Sequence, residues 1–351
     1  MAENNPIPPG VTDALRDVIA EAGITVNADL VARILATGVG MGIDGTSRLD
    51  LKITSAALTE MRAAFQLFAP YEGVPKVTIF GSARTRPDDE LYRRAEAVAR
   101  ALAERGWMVV TGAGPGIMQA AAEGAGVERS IGVSIRLPFE EKPNTIVDGR
   151  ANVAMKYFFT RKLMLVKESH GFVCVPGGFG TLDETFELLT LQQTGKAQPT
   201  PIVLLDEPGG TFWHGLERFV DEQLISSRVI SPDDFDRVLI TDSVEAAAAE
   251  ITDFWRNYDS LRWVGKKLVI RLRAEPTDAE VDDLNERFGF LLGRGRIERS
   301  GPLRHEREDA DRLELPRLVM TLDQFQVGSL HHLIRAVNAL PSAPGGEARA
   351  R

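Results

Sequence analysis

Cysteine is almost missing from this chain of 351 residues: Cys174 is the only one. An internal disulfide is therefore impossible, and so is a zinc site built on several thiolates. Histidine is scarce as well, being limited to His170, His214, His305 and the adjacent His331 and His332. None of these stands in a His-Glu-x-x-His arrangement, and adjacent histidines on a helix point different ways, so no metal site is expected. No apolar run reaches about 18 residues, and the start lacks the basic-then-apolar order of a secretory leader. Basic excess is absent too. Against 41 Lys and Arg stand 50 Asp and Glu, a formal charge of -9, which disfavours binding of nucleic-acid polymers. The expectation is a cytoplasmic chain with neither membrane nor nucleic-acid partners.

What is present is enough apolar residue, 44% of the chain, to bury a sizeable core. The length suits two domains, or one large domain with additions. Residues 1–73 read as an N-terminal helical extension behind a polar, proline-containing start. Residues 74–260 alternate short apolar strands with amphipathic helices. The strands are VTIFG (77–81), WMVV (107–110), SIGVSI (130–135), GFVCV (171–175), PIVLLD (201–206) and DRVLIT (236–241). Such alternation predicts an α/β fold, a Rossmann-like parallel sheet covered by helices on both faces. Residues 151–169, ANVAMKYFFTRKLMLVKES, read as one long, partly basic helix. Residues 265–340 read as a small α+β appendage, in which RIERSG and LRHERED form a hairpin or a charged loop, and residues 341–351 as a flexible tail.

Three glycine-bearing loops follow predicted strands: GSARTR (81–86), TGAGPG (111–116) and PGGFGT (176–181). In a parallel sheet such loops gather at the carboxyl ends of the strands, where ligands bind. Neither of the first two has the full dinucleotide fingerprint or the Gly-Lys-Ser/Thr ending of a P-loop, which argues against oxidoreductases and NTPases. In the third, Gly177, Gly178 and Gly180 allow tight turning before Thr181, where a helix is expected to start. A helix start offers unpaired N–H groups to a phosphate. Glu184, three residues on, is either the partner of Thr181 in a capping box or a carboxylate at the mouth. Ser82, Gly114 and Gly116 are supporting candidates. Arg161 and Lys162 interrupt the apolar FFTRKLMLV, and Arg161 carries a fork of donors suited to an anion. Met155 and Phe159, one turn apart on the expected helix, either pack in the core or wall a base. Asp148 and Asp206 either bind ribose or cap turns.

The stretch PGGFGTLDE (176–184), with TRK (160–162) and TGAGPGIMQAA (111–121), resembles the Lonely Guy family of cytokinin-activating phosphoribohydrolases, over roughly residues 74–258. The resemblance implies hydrolysis of the N-glycosidic bond of a nucleoside 5′-monophosphate to free base and ribose 5-phosphate. It implies phosphate binding by Gly177, Gly178, Gly180 and Thr181, and a catalytic pair of Glu184 and Arg161. Ser82, Gly114, Gly116, Met155 and Lys162 would support the substrate. No cofactor and no metal are implied, and a homodimer is. One departure stands out: Ala113 occupies the middle of a loop that reads as three glycines in many relatives. The alternative to an enzyme is a nucleotide-binding or carrier protein on the same fold, which would keep the phosphate loops without needing Glu184 aimed at the sugar.

Overall fold

In the computed structural model, residues 7–136, 151–323, 326 and 328–345 are described. Two compact units divide the chain, Met1–Ala63 and Ala64–Arg351. The first holds α1 (Pro9–Glu21), α2 (Ala28–Ile43) and most of α3 (Arg48–Phe68). Pro9 opens α1 at a position where the missing N–H costs nothing.

The second unit contains a seven-stranded parallel sheet. Its strands are β1 (Lys76–Phe80), β2 (Met108–Thr111), β3 (Ser130–Ile135), β4 (Asn152–Met155), β5 (Gly171–Cys174), β6 (Ile202–Leu205) and β7 (Val238–Thr241). The helices are α4 (Glu90–Glu104), α5 (Ile117–Ala125), α6 (Phe158–Lys167), α7 (Phe179–Gln193), α8 (Phe212–Phe219) and α9 (Val244–Asp253). Strand order is β4-β3-β2-β1-β5-β6-β7, and every pairing is parallel. Alternation along β1 explains the two covered faces. Val77 and Ile79 join the core beneath α4, α5 and α9. Thr78 turns to the opposite face, where its hydroxyl donates to Leu165 O of α6 at 3.0 Å, and Phe80 stacks on Phe172 there. The Rossmann-like expectation therefore holds. The order also fixes a switch point: β1 runs outward through β2, β3 and β4, while β5 runs the other way through β6 and β7. The loops after β1 and β5 flank that reversal, the usual ligand crevice of such sheets.

One predicted element is corrected. Residues 151–169 are not a single helix. Asn152–Met155 is the edge strand β4, with alternating half-buried and buried residues, and α6 begins only at Phe158. The Asn-Val-Ala-Met alternation is the period-2 signature of a strand, and the helical run behind it masks this signature. Met155 is thus at the end of a strand, with no exposed surface, and does not share a helix face with the exposed Phe159.

The C-terminal part is a four-stranded antiparallel sheet, order β10-β11-β9-β8. Its elements are β8 (Tyr258–Val264), β9 (Lys267–Leu272), α10 (Asp278–Phe288), β10 (Leu292–Ser300), α11 (Arg304–Glu308), β11 (Arg317–Leu322) and α12 (Leu330–Asn338). The helices α10 and α12 bury Leu284, Leu333, Ile334 and Val337 against Leu268, Ile270 and Leu318 of the sheet. RIERSG lies in the long strand β10 and LRHERED in the short helix α11, so these segments form no hairpin with each other. The strand β8 begins at Tyr258, ahead of the expected start of the appendage at 265.

Candidate functional site

The site grows from the backbone of Ser82, just past β1. Its N–H donates to Pro176 O at 3.4 Å, and its carbonyl accepts from Ile117 N–H at 3.0 Å. Ser82 therefore ties the loops after β5 and β2 to the loop after β1. The joins are close: Gly116, at φ +67°, has no room for a side chain because a Cβ would lie 2.3 Å from Ser82 O. A Cβ on Gly177 would lie 2.2 Å from Thr181 Oγ1 and 2.9 Å from Ser82 N.

Beyond Gly177 the chain enters α7. Gly178 is the N-cap residue, and the first helical bond runs from Leu182 N–H to Gly178 O at 3.1 Å. The N–H groups of Phe179, Gly180 and Thr181 precede that bond and face the helix mouth. Here the backbone is open, since among the described residues a Cβ on Gly178 or Gly180 would meet nothing within 4 Å. Thr181 is accordingly the third residue of the helix rather than its cap, and Glu184 lies in the second turn rather than the first. The capping box that Thr181 and Glu184 spell is not formed, because the glycines let the helix cap move three residues earlier, to Gly178.

Released from capping, Glu184 faces α6. Its Oε1 lies 3.8 Å from Arg161 Nη1, and both side chains are largely buried, at 14% and 11% exposure. Burial pushes the Glu184 carboxyl up to about 7, against the opposing pull of Arg161 and Lys162. Asp183 and Glu187 add to the upward push. The Arg161 Nε donates to Val133 O of β3 at 2.9 Å, which orients the guanidinium. Lys162 turns to α7, with its Nζ 2.6 Å from Asp183 and 2.8 Å from Glu187. These two ion pairs join α6 to α7 beside the Arg161–Glu184 pair.

The family is decided by likeness to known proteins. Residues 116–251 match the family described as "Possible lysine decarboxylase". Over 163 residues the chain is 32% identical to the cytokinin riboside 5'-monophosphate phosphoribohydrolase of Mycobacterium tuberculosis, covering 45% of this chain and 83% of that one. The chain belongs to the Lonely Guy family. It is also 30% identical over 172 residues to the protein of that name from Mycobacterium marinum, across 47% of this chain and 87% of the other. A more distant likeness, 27% over 210 residues, is to the pyrimidine/purine nucleotide 5'-monophosphate nucleosidase of Escherichia coli K12, of which it covers 44%.

Within this Lonely Guy protein, the structure gathers Ser82, Gly116, Gly177 and Thr181 at the switch point, and Arg161 with Glu184 beside α7. Gly114 is also in the central loop, but a Cβ there would run into Met118 Cε at 2.6 Å. Met118 lies over the Gly112–Gly114 backbone, a position that sequence reasoning missed. Its only signal is its place as the second residue of the helix that follows a glycine loop. Met155 is sealed in the interior, which fits the packing alternative. Asp206 caps α8: its carboxylate accepts from the N–H groups of Glu207, Phe212 and Trp213. Asp148 lies outside the described residues. Cys174 is buried, and burial pushes its thiol up to about 12, the state of an inert thiol. Among the described residues no group of three His, Cys, Asp or Glu could hold a metal ion, and no helix is long and apolar enough to cross a membrane.

Proposed function

We infer that this protein hydrolyses the N-glycosidic bond of a nucleoside 5′-monophosphate, giving free base and ribose 5-phosphate. The observation that carries this reading is the buried Glu184–Arg161 pair standing one turn along α7 from the open N–H mouth at Gly178–Thr181. The mouth supplies donors and the positive end of a helix dipole to the phosphate. Gly177, Gly178, Gly180 and Thr181 hold that end of the substrate. Anchoring the phosphate positions the reacting carbon by binding energy remote from the bond that breaks.

As the base departs, the ribose acquires positive, oxocarbenium-like character. A carboxylate fixed in a desolvated setting stabilises that charge strongly, and it can deprotonate the attacking water. Glu184 takes this role. Arg161 keeps a share of Glu184 ionised near neutral pH and adds a cation to the anionic end of the substrate. Ser82 lines the same crevice. Lys162 acts by holding α6 to α7.

Self-association is part of the same reading. Phe158, Phe159 and Leu163 of α6 and Phe179 and Phe186 of α7 are exposed large apolar side chains, Phe179 at 93%. They lie on two helices joined by Lys162, the kind of apolar surface that a second copy covers in a dimer.

The test is incubation with a panel of purine and pyrimidine nucleoside 5′-monophosphates, measuring free base and ribose 5-phosphate. Release of both in equal amounts, lost in Glu184→Gln with nucleotide binding retained, is the expected result. Tight nucleotide binding with no product from any member of the panel would overturn the enzyme and leave a carrier.

A further inference from the structure

The two inner glycine loops face different things. Around Gly178 and Gly180 the backbone meets no other described residue within 4 Å of an added Cβ. In the loop after β2 each glycine makes room for a protein group instead. A Cβ on Gly112 would stand 2.0 Å from Arg161 Nη2 and 2.7 Å from Met118 Sδ, and one on Gly114 would meet Met118. A Cβ on Gly116 would meet the backbone of Ser82 and Ala83. Between these glycines Ala113 is tolerated, although its φ is +53°, because its methyl turns inward to Ala122 and Ala151. We propose that Gly112 is a positioning residue for the reaction: its bare Cα is the seat on which the Arg161 guanidinium lies, and the loop serves the arginine rather than the phosphate.

This role for Gly112 rests on the reading of Arg161 and Glu184 given under Proposed function. Among the described residues, contacts with Val133, Glu184 and Gly112 orient the arginine plane. Nε is held by Val133 O at 2.9 Å, Nη1 stands 3.8 Å from Glu184, and Nη2 lies against Gly112. A contact of 2.0 Å between a carbon and a nitrogen is not sustainable, so a methyl group at 112 must move either the loop or the guanidinium. The loop is pinned by two further bonds, from Ala113 N–H to Thr111 Oγ1 at 3.1 Å and from Ile117 N–H to Ser82 O at 3.0 Å. The guanidinium, at the end of a flexible side chain, is the part that gives way. It loses its place beside Glu184, and a displacement of this size at a reacting centre costs about 10²-fold in rate.

The experiment compares wild type, Gly112→Ala, Arg161→Ala and Gly112→Ala/Arg161→Ala as full-length proteins. The expected result is a kcat for Gly112→Ala reduced about 10–100-fold, with KM for the nucleotide raised by less than kcat falls. The double variant should be no slower than Arg161→Ala. A second readout needs no turnover: carbon NMR titration of the Glu184 carboxyl. Glu184 is faced by Arg161 and Lys162 from α6, by Asp183 and Glu187 from α7, and by the neutral Cys174 thiol from β5. Moving Arg161 away removes the largest opposing pull, so the carboxyl should titrate higher in Gly112→Ala than in wild type. If Gly112→Ala does not fold, the proposal requires the double variant, with no guanidinium to displace, to fold. An unaltered Glu184 titration together with wild-type kcat overturns the proposal, as does a double variant that also fails to fold. Absence of turnover in wild type would sink the nucleotide-hydrolysis reading alone, and the titration would still decide the seat of Arg161.

Discussion

Among the described residues, the guanidinium of Arg161 meets unlike acceptors: Nε donates to the Val133 carbonyl at 2.9 Å, while Nη1 stands 3.8 Å from Glu184 Oε1. The first contact is a hydrogen bond and fixes orientation. The second is an ion pair too long for a hydrogen bond. Glu184 is thus compensated electrostatically without its oxygens being committed to the arginine, which leaves them available to a ribose or a water.

Glu184→Gln keeps the shape and removes the negative charge. With Glu184 acting as anion and base, turnover should fall by about 10²–10⁴-fold. Binding of ribose 5-phosphate should be retained, because the helix mouth is untouched. The check is kcat by product release beside Kd by calorimetry. A variant that turns over within about threefold of wild type would remove Glu184 from the mechanism.

The same carboxyl sets a pH dependence. Burial raises it to about 7, so the ionised, active form grows as pH rises through 7, and kcat/KM should climb along that limb. Stability runs the other way. A carboxyl raised in the folded state binds more protons folded than unfolded. Its favourable contribution is full below about pH 4.5 and is lost as pH rises through 7. Glu184→Gln escapes that loss. The Tm difference between variant and wild type should therefore move in the variant's favour from pH 5 to pH 8, as read by thermal denaturation in a buffer series.

Gly178→Ala separates binding from folding at the phosphate mouth. Gly178 has φ −85°, open to any residue, and among the described residues an added methyl meets no atom within 4 Å. Tm should be unchanged within about a degree. If the mouth seats the phosphate, the methyl crowds the ligand and KM rises about tenfold or more, while kcat shifts little. Equal KM in the two proteins would place the phosphate elsewhere.

The parallel sheet and its glycine loops were legible because each strand is a short apolar run closed by a turn residue, and each helix repeats its apolar positions at 3.6. VTIFG, SIGVSI and GFVCV carry β1, β3 and β5 almost residue for residue. The strand β4 was hidden because the four-residue alternation Asn152–Met155 is followed, after the single Lys156, by Tyr157, Phe158 and Phe159, and a helix period absorbs it. The helix start at Gly178 was hidden because Thr181-x-x-Glu184 spells a capping box, and only the tertiary contact with Arg161 shows that Glu184 is used otherwise. Val133 as the anchor of Arg161 had no sequence signal, since it acts through a backbone carbonyl that every residue possesses.

Asp206 tests a role that sequence alone left divided. Its carboxylate is buried, at 5% exposure, and accepts two backbone N–H groups at the start of α8, from Phe212 and Trp213, and a third from the neighbouring Glu207. Asp206→Ala leaves those donors unpaired and should cost about 1–2 kcal/mol, the loss of a strong N-cap. Because all its bonds are internal to that turn, kcat and KM should stay near wild type. A large rise in KM with unaltered Tm would return Asp206 to the ribose.

Ala113 is the position where strain and packing oppose each other. Its φ of +53° costs an L-residue about 1–2 kcal/mol. Replacing it by glycine relieves that strain, yet frees the unfolded chain by about 0.4–1 kcal/mol. It also gives up a buried methyl worth about 0.8 kcal/mol, since Ala113 is 1% exposed. The terms nearly cancel, so Ala113→Gly should leave stability within about 1 kcal/mol, a change of a few degrees in Tm at most. The cancellation also explains how an alanine persists in a left-handed site between two glycines. A β-branched residue has no such balance: Ala113→Val keeps the unfavourable φ, adds crowding at χ1 and overfills a closed space. Its expected loss exceeds about 2 kcal/mol in denaturant unfolding, and a stable Ala113→Val would mean that the loop relaxes out of the left-handed region.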